Sequence, residues 1–300
     1  MIKRPVAVFV GILGVLLFST KAVLVKLAYQ YEVDAVSLLL LRMSFALPFY
    51  LVMIATKARP LPSTTKREYL FVFLFGFLGY YLASYLDFQG LKYIKASVER
   101  LVLFAYPSLV LIIGYFALGQ KVLKSQVLAI LVTYLGIVLV FIPEATVSEG
   151  GKTLLGGVLV LLSAVAYASY IVGSGWLIPK FGALRFTSYC MTVSCLLVLI
   201  HYALVQRQDL SQVLDLPLPV YGYALLMAFI ATVLPSYFIS YAIKGIGSNQ
   251  LAIFGSLGPI STILLAYIFL DERLGWMQLL GGTIVIMGIW IAEKKRLSGS

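Results

Sequence analysis

Long apolar runs, each about twenty residues long, alternate along the chain with short polar connections. A helix needs about 20 predominantly apolar residues to cross a bilayer, so each run is predicted to be a membrane-spanning helix. We number ten such segments in chain order: Pro5–Ala28, Ala35–Ala55, Tyr69–Leu91, Ala96–Leu118, Val122–Phe141, Leu154–Leu177, Leu184–Val205, Tyr221–Ile243, Gln250–Leu270 and Trp276–Ala292. The longest connections, near 56–68, 142–153 and 206–220, are too short to hold a further domain. The pattern therefore predicts an all-α integral membrane protein.

Composition agrees with this class. Hydrophobic residues make up 61% of the 300 residues and charged residues 12%, whereas about 25% of the residues of a soluble domain are charged. The net charge of +11 would fit a nucleic-acid-binding protein. The basic residues lie mostly at segment ends on one side, however, so we expect no nucleic-acid partner.

The lysines and arginines also predict the orientation. With the N-terminus inside, fourteen of the 23 lie at inner segment ends and five in outer connections, and four lie within segments: Lys21, Lys26, Arg42 and Arg100. Positive residues collect on the cytoplasmic side of membrane proteins. Both termini are therefore predicted to be cytoplasmic, which in a bacterium means the inner membrane. The first segment resembles a signal peptide but is too long and too basic for one, so we interpret it as a retained helix.

The chain repeats itself at an offset of 152 residues. Identical residues recur at 84/236, 85/237, 92/244, 94/246, 107/259, 115/267, 118/270, 126/278 and 136/288. Five segments per copy force the second copy to enter the membrane from the opposite face. The sequence therefore predicts two inverted five-helix repeats, over residues 1–146 and 147–300. The equivalent prolines Pro107 and Pro259 are hinge candidates, because proline removes a helical hydrogen bond.

Ionisable residues interrupt the apolar segments of the first copy. At 1.5 Å per residue, Lys21 lies about 10 Å below the outer end of segment 1. Arg42, Asp87, Glu99 and Arg100 fall at a similar depth on segments 2, 3 and 4. A charge near the bilayer centre costs about 3 kcal/mol or more, so such residues usually face the protein interior and pair.

The corresponding positions of the second copy are uncharged. With an offset of about 149 for the first segment, Lys21 aligns with Tyr170. At the offset of 152, Asp87, Glu99 and Arg100 align with Ile239, Leu251 and Ala252. The fold therefore does not require these charges, and we interpret them as functional.

Several roles are open for this layer. Lys21 is predicted to line a cavity, where it would bind an anionic group such as a carboxylate or would titrate. Asp87 or Glu99 could bind protons and couple transport to a proton gradient. In the structural alternatives, Arg42 pairs with Asp87 or Glu99 to brace segment 2, Glu99 and Arg100 are interfacial, and Lys26 snorkels to the membrane surface.

Tyrosines form a second pattern. Tyr81 and Tyr85, Tyr167 and Tyr170, and Tyr237 and Tyr241 are three or four residues apart, so each pair shares a helix face. A cavity lined by them would suit aromatic, amphipathic or cationic solutes. Ordinary packing, or the interfacial preference of tyrosine, is the alternative explanation.

The sequence resembles the drug/metabolite transporter superfamily, EamA type. The resemblance is carried by the links GLKYIKAS (90–97) and AIKGIGSN (242–249), by LLLLRMSF (38–45), and by LDER (270–273), which LGQK (118–121) replaces in the first copy. It implies a ten-helix fold with a central cavity among segments 1, 3, 4, 6, 8 and 9 and with segments 5 and 10 at the periphery. It also implies export of small metabolites, without specifying the substrate.

Other classes of function fit less well. An enzyme would need clustered catalytic groups, but the chain has one histidine and neither a DDxxD nor an HExxH motif, and a channel would need a filter loop. The sequence contains no GxxxxGK[ST] motif, so we do not expect this chain to hydrolyse ATP. We also expect no metal or cofactor. The sequence thus predicts a secondary transporter that exports amino acids, amines or related solutes by alternating access. Translocation of a lipid-linked sugar or a nucleotide sugar is the alternative, which a lateral opening toward lipid would favour.

Overall fold

The computed structural model describes residues 4–56, 64–119, 123–147, 150–205, 211–255 and 257–298. Within these ranges the chain forms α-helices joined by short connections, with no strand. The helices are α1 Arg4–Ser19, α2 Lys21–Tyr29, α3 Ala35–Thr56, α4 Lys66–Gly76, α5 Ala83–Gly90, α6 Ala96–Leu103, α7 Tyr106–Leu118, α8 Lys124–Val147, α9 Gly150–Phe181, α10 Ala183–Val205, α11 Ser211–Leu214, α12 Leu218–Ala228, α13 Leu234–Gly255, α14 Leu257–Leu270 and α15 Trp276–Ser298.

Eight helical stretches among the described residues are long and apolar enough to cross a membrane. They correspond to segments 1 to 8, and two shorter apolar helices, Leu257–Leu270 and Trp276–Gly288, correspond to segments 9 and 10. The all-α membrane architecture is confirmed, and the count of ten spans stays a prediction.

One predicted boundary is wrong. Residues 244–249, expected to link segments 8 and 9, lie inside α13, which continues to Gly255. Glycine lowers helix propensity by about 1 kcal/mol but does not block the backbone hydrogen bonds, and only proline does so. No proline lies between Pro235 and Pro259, so nothing in the link forces the helix to end.

Two segments predicted as single helices are interrupted instead. Segment 1 is divided at Thr20, between α1 and α2, and segment 4 is divided at Phe104 and Ala105, between α6 and α7. Two π-helical segments, Phe77–Leu82 and Phe229–Val233, begin 152 residues apart within segments 3 and 8. Both kinds of irregularity are common at functional sites of membrane helices.

The helices pack in a regular set of pairs. Helix α1 packs on α13, α5 on α9, α3 on α10, α6 on α14 and α8 on α15. The α8–α15 pair approaches closely because Gly136 and Gly281 face each other. A Cβ at either position would lie 2.7 Å from the other's carbonyl oxygen. The remaining surface of α8 exposes leucine and valine, as expected of a helix that borders lipid.

Candidate functional site: a buried ionic cluster

Lys21 owes its position to the interruption of segment 1. The hydroxyl of Thr20 donates to the carbonyl of Leu17 at 2.7 Å, and the Thr20 N–H donates to the same carbonyl at 3.2 Å. This tight turn ends α1 and starts α2 at Lys21. Lys21 is thus the first residue after the interruption between the two helices, and its side chain points into the protein.

Three side chains from three helices meet at this break. The Nζ of Lys21 lies 2.7 Å from Oδ2 of Asp87 and 3.9 Å from Oε1 of Glu99. The exposed fractions of the three side chains are 9%, 1% and 0%. The two carboxyl groups also lie close enough to interact directly with each other. We call Lys21, Asp87 and Glu99 the ionic cluster.

Arg100 borders the ionic cluster and reaches the second half of the chain. Its Nη2 donates to the Oγ of Ser19 at 3.4 Å, and its charge acts on both carboxyl groups. The Ser19 carbonyl accepts from the hydroxyl of Thr262 at 2.9 Å. A Cβ at Gly258 would lie 3.0 Å from Nη2 of Arg100, so only glycine leaves the guanidinium this much room. Arg100 therefore lies between α1 and the start of α14.

The acidic groups of the ionic cluster have few hydrogen-bond donors. Among the residues that the structure describes, no N–H or O–H group donates to Oδ1 of Asp87 or to either oxygen of Glu99. Buried polar atoms are normally satisfied, and each exception calls for an explanation. An acidic group that binds a proton or an exchangeable cation is one such explanation.

Arg42 is buried nearby but has a different partner from the one expected. Its Nε donates to the hydroxyl of Thr232 at 2.9 Å, and its Cζ lies 5.4 Å from the centre of the Phe88 ring. No ion pair within the described ranges joins Arg42 to Asp87 or Glu99, so the predicted brace is wrong in its partner. The partner belongs instead to the π-helical segment of the second half.

The predicted tyrosines separate into three sets. Tyr81 and Tyr85 stack 6.5 Å apart, and the Tyr81 hydroxyl lies 2.8 Å from Nδ1 of His201. Tyr237 donates to the carbonyl of Phe49 at 3.3 Å. Tyr81, Tyr85 and Tyr237 all pack against the same hydrophobic cluster, and their lining of a cavity stays a prediction.

The third set of tyrosines interacts with Arg100, which borders the ionic cluster. Tyr167 and Tyr170 stack 5.9 Å apart, and the hydroxyls of Tyr170 and Tyr80 are 3.0 Å apart. The ring of Tyr106 lies 5.3 Å from that of Tyr167, which also interacts with Arg100. Tyr80 and Tyr106 were not predicted. The signal for Tyr106 is its place beside the helix-interrupting Pro107, and we find none for Tyr80.

The hinge candidates lie near the starts of helices in both halves. Pro107 is the second residue of α7, directly after the interruption at Phe104 and Ala105. Pro259 is the third residue of α14. Proline fits the first turn of a helix, where its absent N–H is not needed.

Comparison with known proteins identifies the type of fold and of function. The EamA-like transporter family matches the chain twice, over residues 5–142 and 154–293. The "Uncharacterized transporter YcbK" of Bacillus subtilis (strain 168) is 29% identical over 95% of this chain and 92% of its own length. An "Uncharacterized transporter" of Archaeoglobus fulgidus is 21% identical over 95% of this chain and 96% of its own. One crystal structure superposes with a TM-score of 0.64 at 15% identity, covering 98% of this chain and 99% of that one.

Proposed function

The chain belongs to the EamA-like transporter family, as a multi-pass membrane protein rather than an enzyme, and from this premise we propose a more specific function. It is a secondary transporter of small amphipathic solutes, amino acids or amines, that works by alternating access in the inner membrane. The observation that carries the proposal is the ionic cluster, with Lys21 held 2.7 Å from Asp87 inside an apolar bundle.

The energetic cost of the ionic cluster supports a functional role. Removing two charges from water often costs more than their attraction returns, so a buried ion pair is weak evidence for a contribution to stability. The second half has Tyr170 and Ile239 at the positions of Lys21 and Asp87 and does without the charges. An arrangement that the fold can omit, and that is costly to keep, is best explained by what it binds.

The charges of the site favour a solute that carries both signs. Lys21 and Arg100 offer two cations, and Asp87 and Glu99 offer two acidic groups. An amino acid could place its carboxylate against the cations and its ammonium against the carboxylates. A protonated amine would replace only the ammonium of Lys21. Protonation of Asp87 or Glu99 would weaken their hold on Lys21, which would link solute binding to the proton gradient.

Internal symmetry supports the alternating-access part of the proposal. If segments 1–5 correspond to segments 6–10, a two-fold relation maps the 2–7, 4–9 and 5–10 pairs onto themselves and exchanges 1–8 with 3–6. The helix pairs α3–α10, α6–α14, α8–α15, α1–α13 and α5–α9 described above are these five segment pairs. The double family match and the π-helical segments at equivalent positions fit the same division, over residues 1–146 and 147–300. Inverted repeats of this kind let two halves rock about a site between them.

Flux in proteoliposomes tests the proposal. Labelled amino acids and amines are followed in both directions, with and without a pH gradient, for the wild type and Lys21→Met. We expect gradient-dependent flux in the wild type and its loss in the variant. Lys92→Met removes the same charge from an exposed position and should transport normally. Equal flux in Lys21→Met and the wild type would make Lys21 a structural lysine.

One observation favours a second candidate, translocation of a lipid-linked sugar. An apolar groove of about 270 Å³ lies between segments 1, 8 and 9, lined by Thr20, Val23, Leu24, Leu27, Leu226, Ile230, Leu265 and Phe269. Its wall includes Thr20 and Val23, which flank Lys21 and Ala22 at the start of α2. Leu226 and Phe269, in the same wall, are exposed on the outside of the bundle. A lipid chain lying there would place its head group beside Lys21. Competition by a short-chain polyprenyl phosphate sugar in the flux assay distinguishes this candidate from a soluble amino acid.

A further inference from the structure

The LDER motif at the end of α14 makes a contact that the ionic cluster does not account for. The Oε1 of Glu272 accepts from the N–H of Ala96 at 2.9 Å. Its Oε2 accepts from the N–H and the hydroxyl of Ser97 at 3.0 and 2.6 Å. Both carboxylate oxygens of a residue from the second half are thus bound to the first turn of α6 in the first half.

The backbone holds Glu272 in this position. Asp271 has a φ of 50°, in the left-handed region that aspartate tolerates better than most residues. The chain therefore reverses after Leu270, and the N–H of Glu272 donates back to the carbonyl of Ala266 at 3.2 Å. Glu272 is fixed to α14 by its backbone and to α6 by its side chain.

The contact is favourable for a physical reason. The first N–H groups of a helix have no partner within the helix and carry the positive end of its dipole, so a carboxylate there is stabilising. Hydrogen bonds to a charged acceptor are also stronger than neutral ones. Helix α6 carries Glu99 two residues after Ser97, so the contact also determines where Glu99 lies relative to Lys21.

A contact between the halves also exists at the other end of segment 3. Glu68 in the first turn of α4 pairs with Lys180 near the end of α9. Helices α4 to α5 span the bundle between this pair and the start of α6. The two halves are therefore fastened to each other at both ends of the bundle in this structure.

We propose that Glu272 is a latch that fastens the start of α6 to the second half and controls access from that end to the ionic cluster. The inference rests on the proposed alternating access, since a latch has a purpose only if the halves separate. When the carboxylate releases Ala96 and Ser97, α6 moves away from α14 and takes Glu99 with it. When the carboxylate binds them again, that end closes. Glu272 is in this sense a positioning residue, because it acts on the solute site through α6.

The test needs no substrate, so it is independent of the flux assay. Glu272→Gln keeps the shape of the side chain but replaces one acceptor oxygen with an NH₂ group. Hydrogen exchange, measured by mass spectrometry in nanodiscs, reports directly on the amides of Ala96 and Ser97. The loss of a charged hydrogen bond should accelerate their exchange by about tenfold or more. Asp271→Asn is the matched control, because it removes a neighbouring exposed charge and asparagine also tolerates the left-handed backbone.

A reporter cysteine measures opening. Ala266→Cys places a thiol at a buried position of α14, with the native Cys190 and Cys195 changed to alanine. An impermeant maleimide is added to each side in turn, and Glu272→Gln should increase labelling from one side only. Ser97→Ala removes the shortest of the three hydrogen bonds and should give a smaller change in the same direction, which also serves if Glu272→Gln does not fold.

Three outcomes would overturn the inference. If the amides and the labelling are both unchanged in Glu272→Gln, the contact does not control α6. If exchange rises while the reporter stays unlabelled, Glu272 is a helix cap only. If Asp271→Asn acts like Glu272→Gln, the effect is one of loop charge. If the latch behaves as expected and no solute moves, the proposed function fails while the conformational change stands.

Discussion

The two halves of the chain share their framework and differ in what they bury. Both begin their last segment with the same local structure, since Gln126 and Gln278 each accept from the N–H three residues earlier at 2.9 Å. Both interrupt the third segment with a π-helical stretch. Among the residues that the structure describes, only the first half places a lysine against two acidic side chains. Because the two halves share one framework, a feature that is present in one half and missing from the other is not required by the fold.

The largest effect is expected where the halves differ most. Lys21→Met leaves Asp87 and Glu99 without their ammonium, and loss of one partner of a buried pair typically costs about 3–5 kcal/mol of folding free energy. Adding Asp87→Asn removes the second charge as well and should restore much of that stability. Unfolding in mixed micelles measures both variants, and the flux assay measures their transport.

The double variant separates structure from function. The second half has the neutral residues Tyr170 and Ile239 in these places, so we expect a stable but transport-inactive protein. If Lys21→Met with Asp87→Asn carries solute as the wild type does, the ionic cluster is a brace and the contrast between the halves has no functional meaning.

A smaller effect is expected at Gly79 in the first π-helical segment. A Cβ there would lie 2.4 Å from the Cβ of Tyr170, whereas the equivalent residue of the second half is already alanine, Ala231. Gly79→Ala must push α9 away, at a cost of about 1–3 kcal/mol from overpacking. Gly222→Ala is the control, because nothing lies near its Cβ and alanine in a helix gains about 0.5–1 kcal/mol. Unfolding midpoints that shift equally would refute this account.

Thr232→Val tests the contact between Arg42 and the second half. The substitution keeps the shape of the side chain and removes the acceptor of Arg42 Nε. An unsatisfied buried donor costs about 1–3 kcal/mol, and more for a charged group. Thr283→Val removes an exposed hydroxyl that donates to the carbonyl of Leu279 in its own helix and should leave the unfolding midpoint unchanged. A neutral Thr232→Val would mean that the hydrogen bond to Thr232 does not stabilise the position of Arg42.

The confirmed predictions are those that depend on one regular property of a helix, its apolar length or its rise per residue. The apolar runs gave the membrane-spanning helices, and the constant rise per residue placed Lys21, Asp87 and Glu99 at one depth, where the structure brings them together. Depth along a helix is a local property, so it needs no knowledge of the partner helices.

The predictions that were wrong depend on how distant segments pack together, which no local pattern shows. Arg42 bonds to Thr232, 190 residues away, and no local pattern identifies that partner. Tyr85 lies against His201 of segment 7 and Tyr237 bonds to Phe49 of segment 2, which are equivalent segments, so their lining of a cavity stays a prediction. The continuation of α13 through 244–249 depends on a small difference in helix propensity, which the surrounding packing can reverse.

The smallest effect is expected where the halves agree. Gln126 and Gln278 are each the third residue of a helix. Each accepts a hydrogen bond from the N–H of the residue that precedes that helix, Leu123 or Gly275. This is one half of a capping box. Each replacement by alanine should cost about 0.5–1.5 kcal/mol, the net value of one hydrogen bond. Unfolding midpoints of Gln126→Ala and Gln278→Ala should therefore shift by similar amounts, with transport retained in both. If Gln278→Ala alone reduced transport, the start of α15 would be coupled to the neighbouring Glu272 latch, and the equivalence of the two halves would end at residue 275 instead of extending through the last segment.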